Sequence, residues 1–140
     1  MKRSLFLLLA GTLVTAPACE SITGRDDDNF SFDSARVTFN ASMVNEAEVF
    51  GQLRAMQIDG LILLPNPCFT LRGDYIRTGG TAALTVVATS TNANCPAEAS
   101  AMQYRLQAFG INPGPYRVRI YHQIGTAQRV QIAEDDVVIG

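Results

Sequence analysis

Tyr116-Arg117-Val118-Arg119-Ile120-Tyr121-His122-Gln123-Ile124 decides the fold class of this 140-residue chain. Tyr116, Val118, Ile120, His122 and Ile124 fall on one face, and Arg117, Arg119, Tyr121 and Gln123 on the other. A period of two is what a pleated strand imposes on its side chains. One apolar face and one polar face predict a half-buried antiparallel strand with water on one side. Met102-Gln103-Tyr104-Arg105-Leu106-Gln107-Ala108 repeats the pattern, with Gln103, Arg105 and Gln107 outward. Asn112-Pro113-Gly114-Pro115 between the two predicts a turn, because these residues cannot continue a strand.

Further upstream, Thr78-Gly79-Gly80-Thr81 has the Gly-Gly centre of a two-residue hairpin turn. A turn placed there pairs Leu71 with Ala88, Gly73 with Val86 and Tyr75 with Leu84, giving one apolar face. The same register sets Cys68 opposite Thr91, a few residues short of Cys95. Strands near 35–43, 49–58, 60–64 and 128–139 bring the total to about seven or eight, with no long helical stripe. Many short strands with frequent turn signals predict an all-β antiparallel sandwich of two packed sheets over residues 35–140.

The N-terminus reads Met1-Lys2-Arg3, then an apolar run from Leu5 to Val14, then Thr15-Ala16-Pro17-Ala18-Cys19. Charge, a short apolar core and a small-residue boundary are the parts of a secretory signal peptide, assigned here to residues 1–18. The run falls well short of the roughly 20 residues that span a bilayer as a helix. Ala16-Pro17-Ala18 fits ordinary cleavage, which would release a soluble secreted protein. The stretch also resembles a lipobox, the bacterial lipoprotein signal in which small residues precede a Cys that becomes the lipidated first residue. Ala18 and Cys19 match that pattern; Ala16 stands where Leu is usual, and Pro17 departs from it. The resemblance implies lipid on Cys19, a membrane as partner, and a cell envelope location.

Cysteine arithmetic agrees. Cys19, Cys68 and Cys95 are an odd number, and a spare thiol in an exported chain needs a role. With Cys19 lipidated, Cys68 and Cys95 form one closed pair, whose loop closure would stabilise the domain by roughly 3–4 kcal/mol. Residues 19–34 are polar and acidic, with Asp26-Asp27-Asp28 inside, and read as a linker between anchor and domain.

Removing residues 1–18 leaves 122 residues, one domain's worth. Nine basic residues, all Arg, then face 13 acidic ones. That balance argues against nucleic acid as a partner and against electrostatic attraction to anionic lipid. The segment from Phe109 to Val118 resembles the turn-and-strand of bacterial immunoglobulin-like and carboxypeptidase-regulatory-like sandwiches, a resemblance that implies an immunoglobulin-like fold and does not extend to an activity. Related surface sandwiches are stiffened by a Lys–Asn isopeptide bond, a device excluded in a mature chain without Lys.

No catalytic, metal or cofactor site is expected. His122, the single histidine, shares the apolar face of its strand and reads as structural. No Ser sits in a Gly-x-Ser-x-Gly elbow. Arg72-Gly73-Asp74 spells an adhesion tripeptide but falls inside an expected strand. The carboxylates Glu46 and Glu48 share a face, and Asp74 lies near Arg72 and Arg77, without spacing that fixes an acid–base pair. Two binding surfaces are expected instead. One is an outward stripe of Arg105, Arg117, Arg119 and Tyr121, suited to an acidic glycan or protein partner in the envelope. The other is Leu61-Ile62-Leu63-Leu64, ended by Pro65 and Pro67, which reads first as a buried strand. As an exposed 60–67 loop it would serve an inhibitor-like or ligand-binding sandwich, the alternative to a non-enzymatic envelope module.

Overall fold

A computed structural model describes residues 29–140. Eight strands form two four-stranded sheets packed face to face. They are β1 (Asn29–Val37), β2 (Glu46–Gln52), β3 (Ala55–Leu64), β4 (Phe69–Thr78), β5 (Thr81–Ser90), β6 (Ser100–Phe109), β7 (Gly114–Ile124) and β8 (Val130–Ile139). One sheet has the order β1-β6-β3-β2 and the other β4-β5-β7-β8. The protein is an all-β sandwich, as the alternation predicts.

The β4–β5 hairpin has the expected register, with Leu71 opposite Ala88, Gly73 opposite Val86 and Tyr75 opposite Leu84. Gly79 takes the left-handed conformation the tight turn requires, at φ 59°. Just past the hairpin's open end, the Thr91 N–H donates to the Cys68 carbonyl at 3.0 Å, and Cys68 is bonded to Cys95. The bridge ties the β3–β4 connection to the β5–β6 connection, both of which cross between sheets.

Four expectations need correction. Strand pairing begins at Asn29, inside the 19–34 stretch assigned to the linker, because Phe30 and Phe32 alternate with Ser31 and Asp33 and turn toward the core. The chain breaks at Leu53-Arg54, and 55–64 is one strand, whereas strands at 49–58 and 60–64 were expected. Asp59-Gly60 has turn composition, yet Gly60 is needed mid-strand: a Cβ there would lie 2.2 Å from the Tyr104 ring, which covers it. The turn falls instead on Arg54, at φ 51°. Its N–H donates to the Gly140 carbonyl at 2.9 Å, and its own carbonyl accepts from Ile111 N–H at 3.1 Å. Tertiary hydrogen bonds thus hold a non-glycine residue in the left-handed region.

β7 is antiparallel only to β8; it runs parallel to β5. The reason is topological. The chain leaves β5, returns through β6 in the opposite sheet, and so re-enters the first sheet in the direction of β5. The 110–113 turn therefore links the sheets rather than making a hairpin within one, and β6 is not a neighbour of β7.

Met56, Ile58, Ile62 and Leu106 of one sheet meet Leu84, Val86, Val118 and Ile120 of the other, all fully buried. Each such side chain contributes roughly 1.5–3 kcal/mol on burial. One polar pair crosses this core: Tyr104 Oη on β6 and His122 Nε2 on β7 share a hydrogen bond at 2.8 Å.

Candidate binding face

The outward side chains of β1, β6, β3 and β2 line up because the registers align their alternation. Asp33 lies opposite Arg105, Arg105 opposite Asp59, and Asp59 opposite Glu48. The next rung with the same orientation is Ala35, Gln103, Leu61 and Glu46. Ser42, Met43 and Val44, from the β1–β2 connection, overhang these rungs and close one side of a groove of about 1030 Å³.

The Arg105 guanidinium grips Asp59 with both ends of its fork, Nε to Oδ1 at 2.7 Å and Nη2 to Oδ2 at 3.0 Å. Gln57 Nε2 donates to the same carboxylate at 2.9 Å. The Arg105 hydrogen bond holds the Asp59 carboxyl below the ordinary carboxylate range, against a smaller opposing effect of partial burial. Asp33, Glu46, Glu48 and Asp59 therefore face one guanidinium, and the groove is acidic. Its chemistry suits cations and hydrogen-bond donors. Among the described residues no group of three or more His, Cys, Asp and Glu side chains is arranged to hold a metal ion.

The residues expected to form an Arg stripe do not come together. Arg105 is in the β1-β6-β3-β2 sheet, whereas Arg117, Arg119 and Tyr121 are on β7 of the other. Arg117 pairs with Asp136 through Nε at 2.9 Å and Nη2 at 3.2 Å, and Arg119 Nε with Glu134 at 2.6 Å. Those contacts raise both guanidinium pKa values and lower that of Asp136. Arg129 stacks over the Tyr121 ring, 4.1 Å from its centroid. The result is a charge-balanced face in place of a basic one.

Leu61, Ile62, Leu63 and Leu64 belong to β3, with Ile62 and Leu64 in the core and Leu61 in the floor of the acidic groove. They form no exposed loop. Arg72 and Asp74 sit on β4 as an ion pair at 3.0 Å, away from any loop tip. His122 is 5% exposed and committed to Tyr104, its Nδ1 buried without a hydrogen-bond partner. Burial pushes its pKa down to about 4 and that of Tyr104 up. Cys19 and Asp26 to Asp28 lie outside the described residues.

Sequence reasoning paired Glu46 with Glu48 but missed Asp33 and Asp59 as their companions. These residues come from three strands, and only the long-range register joins them. Compared with protein-family models, curated proteins and solved structures, the chain matches none.

Proposed function

We propose that this is an exported protein, held at a membrane by lipid on Cys19, that acts as a non-enzymatic binding or structural module in the cell envelope. The observation that carries the reading is the fate of the cysteines. Cys68 and Cys95 are bonded to each other, which leaves Cys19 as the unpaired one, directly behind a small-residue boundary. A structural disulfide also points to a compartment outside the reducing cytosol. Among the described residues no helix is long and apolar enough to cross a membrane.

The immunoglobulin-like character of the sandwich belongs to the same proposal. Its support is Tyr116, whose hydroxyl donates to the Asn112 carbonyl at 2.8 Å, the arrangement of a tyrosine corner. The non-enzymatic part is supported by His122, which is spent on a core hydrogen bond. The acidic groove is the face best suited to a partner, and its carboxylates favour a basic protein segment or the hydroxyls of a glycan. An inhibitor-like action through the 60–67 segment has less support, since Leu61 to Leu64 are strand residues.

The test is the intact mass of protein purified from its native membranes, with and without reduction. A lipid increment on Cys19, with a mass gain on reduction equal to one bridge, is expected. A mature chain beginning at an unmodified Cys19 would overturn the anchor.

A further inference from the structure

The two ends of the sandwich differ in chemistry, and the chain enters at one of them. Asn29 pairs with Phe109, Phe109 with Ala55, and Ala55 with Gln52, so the first described residue marks the pole that holds the Leu53-Arg54 turn. Hydrogen bonds from Arg54 to Gly140 and from Ile111 to Arg54 bring the end of β8 and the β6–β7 connection to the same pole. The disulfide lies at the opposite one, between the β3–β4 and β5–β6 connections.

At the Asn29 pole, large apolar side chains face solvent. Leu53 is 83% exposed and Val138 72%, with Phe109 about half as exposed. The segments that build this pole, 29–30, 51–55, 78–81, 109–115 and 137–140, contain no Asp or Glu themselves; Arg54 is charged at the turn, Asp136 adjoins Val137, and Asp26-Asp27-Asp28 precede Asn29 in the sequence. The opposite pole also exposes Phe39, Val44 and Val130, but it carries Glu98 and adjoins Glu46. The Asn29 pole combines Leu53, the most exposed of the large apolar side chains among the described residues, with the point where the chain arrives from Cys19. From Cys19 to Asn29 the chain spans at most about 35 Å fully extended.

We infer that the Leu53 pole docks on the membrane surface, with Leu53 entering the acyl boundary and Phe109 and Val138 at its margin. This rests on the anchor reading above. The occupant is lipid because the anchor brings this pole to a bilayer, and apolar side chains at a turn gain by leaving water. The contact is apolar, since a mature chain with an excess of acids draws nothing from anionic headgroups.

The chain has no Trp, so a single introduced Trp reports its surroundings without background. Full-length protein bearing Leu53→Trp, or Val44→Trp at the opposite pole, is purified from membranes and reconstituted in phosphatidylcholine vesicles with and without brominated acyl chains. Intact mass of the same samples reads the lipid on Cys19. A blue-shifted Leu53→Trp emission lost with brominated lipid, beside a red, unquenched Val44→Trp emission, is expected. Lipid on Cys19 with Leu53→Trp as water-exposed as Val44→Trp would overturn the docking and leave the anchor standing. An unmodified Cys19 would overturn both. A blue shift that brominated lipid does not quench and that fades as protein is diluted among vesicles would mean that a second copy covers the pole, and would overturn docking on lipid.

Discussion

Lowering the pH should destabilise the fold through His122. The chain has one histidine, 5% exposed between the sheets, with its pKa pushed down to about 4 by burial. In the unfolded chain the imidazole returns to about 6.5. The unfolded state therefore binds the extra proton first, and stability falls as pH drops through about 6.5, levelling off only below about 4. Linkage gives a loss of about 2 kcal/mol between about pH 7 and about pH 5, and about 3 kcal/mol at full extent. The Asp59 and Asp136 carboxyls are held below the ordinary carboxylate range by Arg105 and Arg117, so neither contributes to the upper part of the loss. Urea unfolding followed by circular dichroism at several pH values reads the loss directly, and a His122→Leu variant should remove the slope. His122→Leu also strands the buried Tyr104 hydroxyl, costing about 1–3 kcal/mol at neutral pH, and Tyr104→Phe in the same chain should recover much of it. Stability that stays flat over the window, or keeps its slope in His122→Leu, would refute the assignment of a neutral core histidine.

Arg54→Gly should stabilise the fold by up to about 1 kcal/mol, since Gly accepts the φ of 51° without a Cβ penalty; a drop in urea midpoint would show that the Arg54 side chain contributes more than its backbone costs. Gly60→Ala should cost about 1–3 kcal/mol by driving a methyl group into the Tyr104 ring, and a thermal melt unchanged from wild type would mean the ring is free to move aside. Cys68→Ser with Cys95→Ser should lower stability by about 3–4 kcal/mol in reducing-agent-free buffer, with the wild type falling by a like amount under reduction. Asp59→Asn should change stability by under about 1 kcal/mol, because the Arg105 pair is largely exposed; a larger loss would mark the rung as structural.

The features that reasoning from the sequence reached are those written in neighbouring residues. Gly79-Gly80 fixes a turn, the turn fixes a register, and that register carries Cys68 to the edge of Cys95; each step spans only a hairpin. The alternation of 102–108 and 116–124 likewise fixes which side chains face inward. It says nothing of which sheet each strand joins. Arg105 and Arg117 stand a short turn apart in sequence, yet that turn crosses the sandwich, and the Arg stripe dissolves into separate ion pairs. Gly60 shows the same limit from the other side. Its neighbour Asp59 makes it look like a turn, and only a ring arriving from β6 explains why the strand runs through it.

The same topology gives the molecule a direction. The overhang formed by Ser42 to Val44 comes from the connection at the disulfide pole, so one wall of the acidic groove is built from the end remote from Asn29. A sandwich seated on lipid through Leu53 would hold that wall away from the bilayer. The polarity also assigns different work to the two poles. The disulfide secures the inter-sheet connections at the groove end, whereas backbone hydrogen bonds among Gln52, Arg54, Ile111 and Gly140 secure the other. Reduction should therefore loosen the groove end first, and hydrogen exchange under reducing conditions should rise at 91–99 before it rises at 110–113. Equal protection at both ends would mean that the core of β3, β5, β6 and β7 holds the groove connections without the bridge, and the division of labour between the poles would fall.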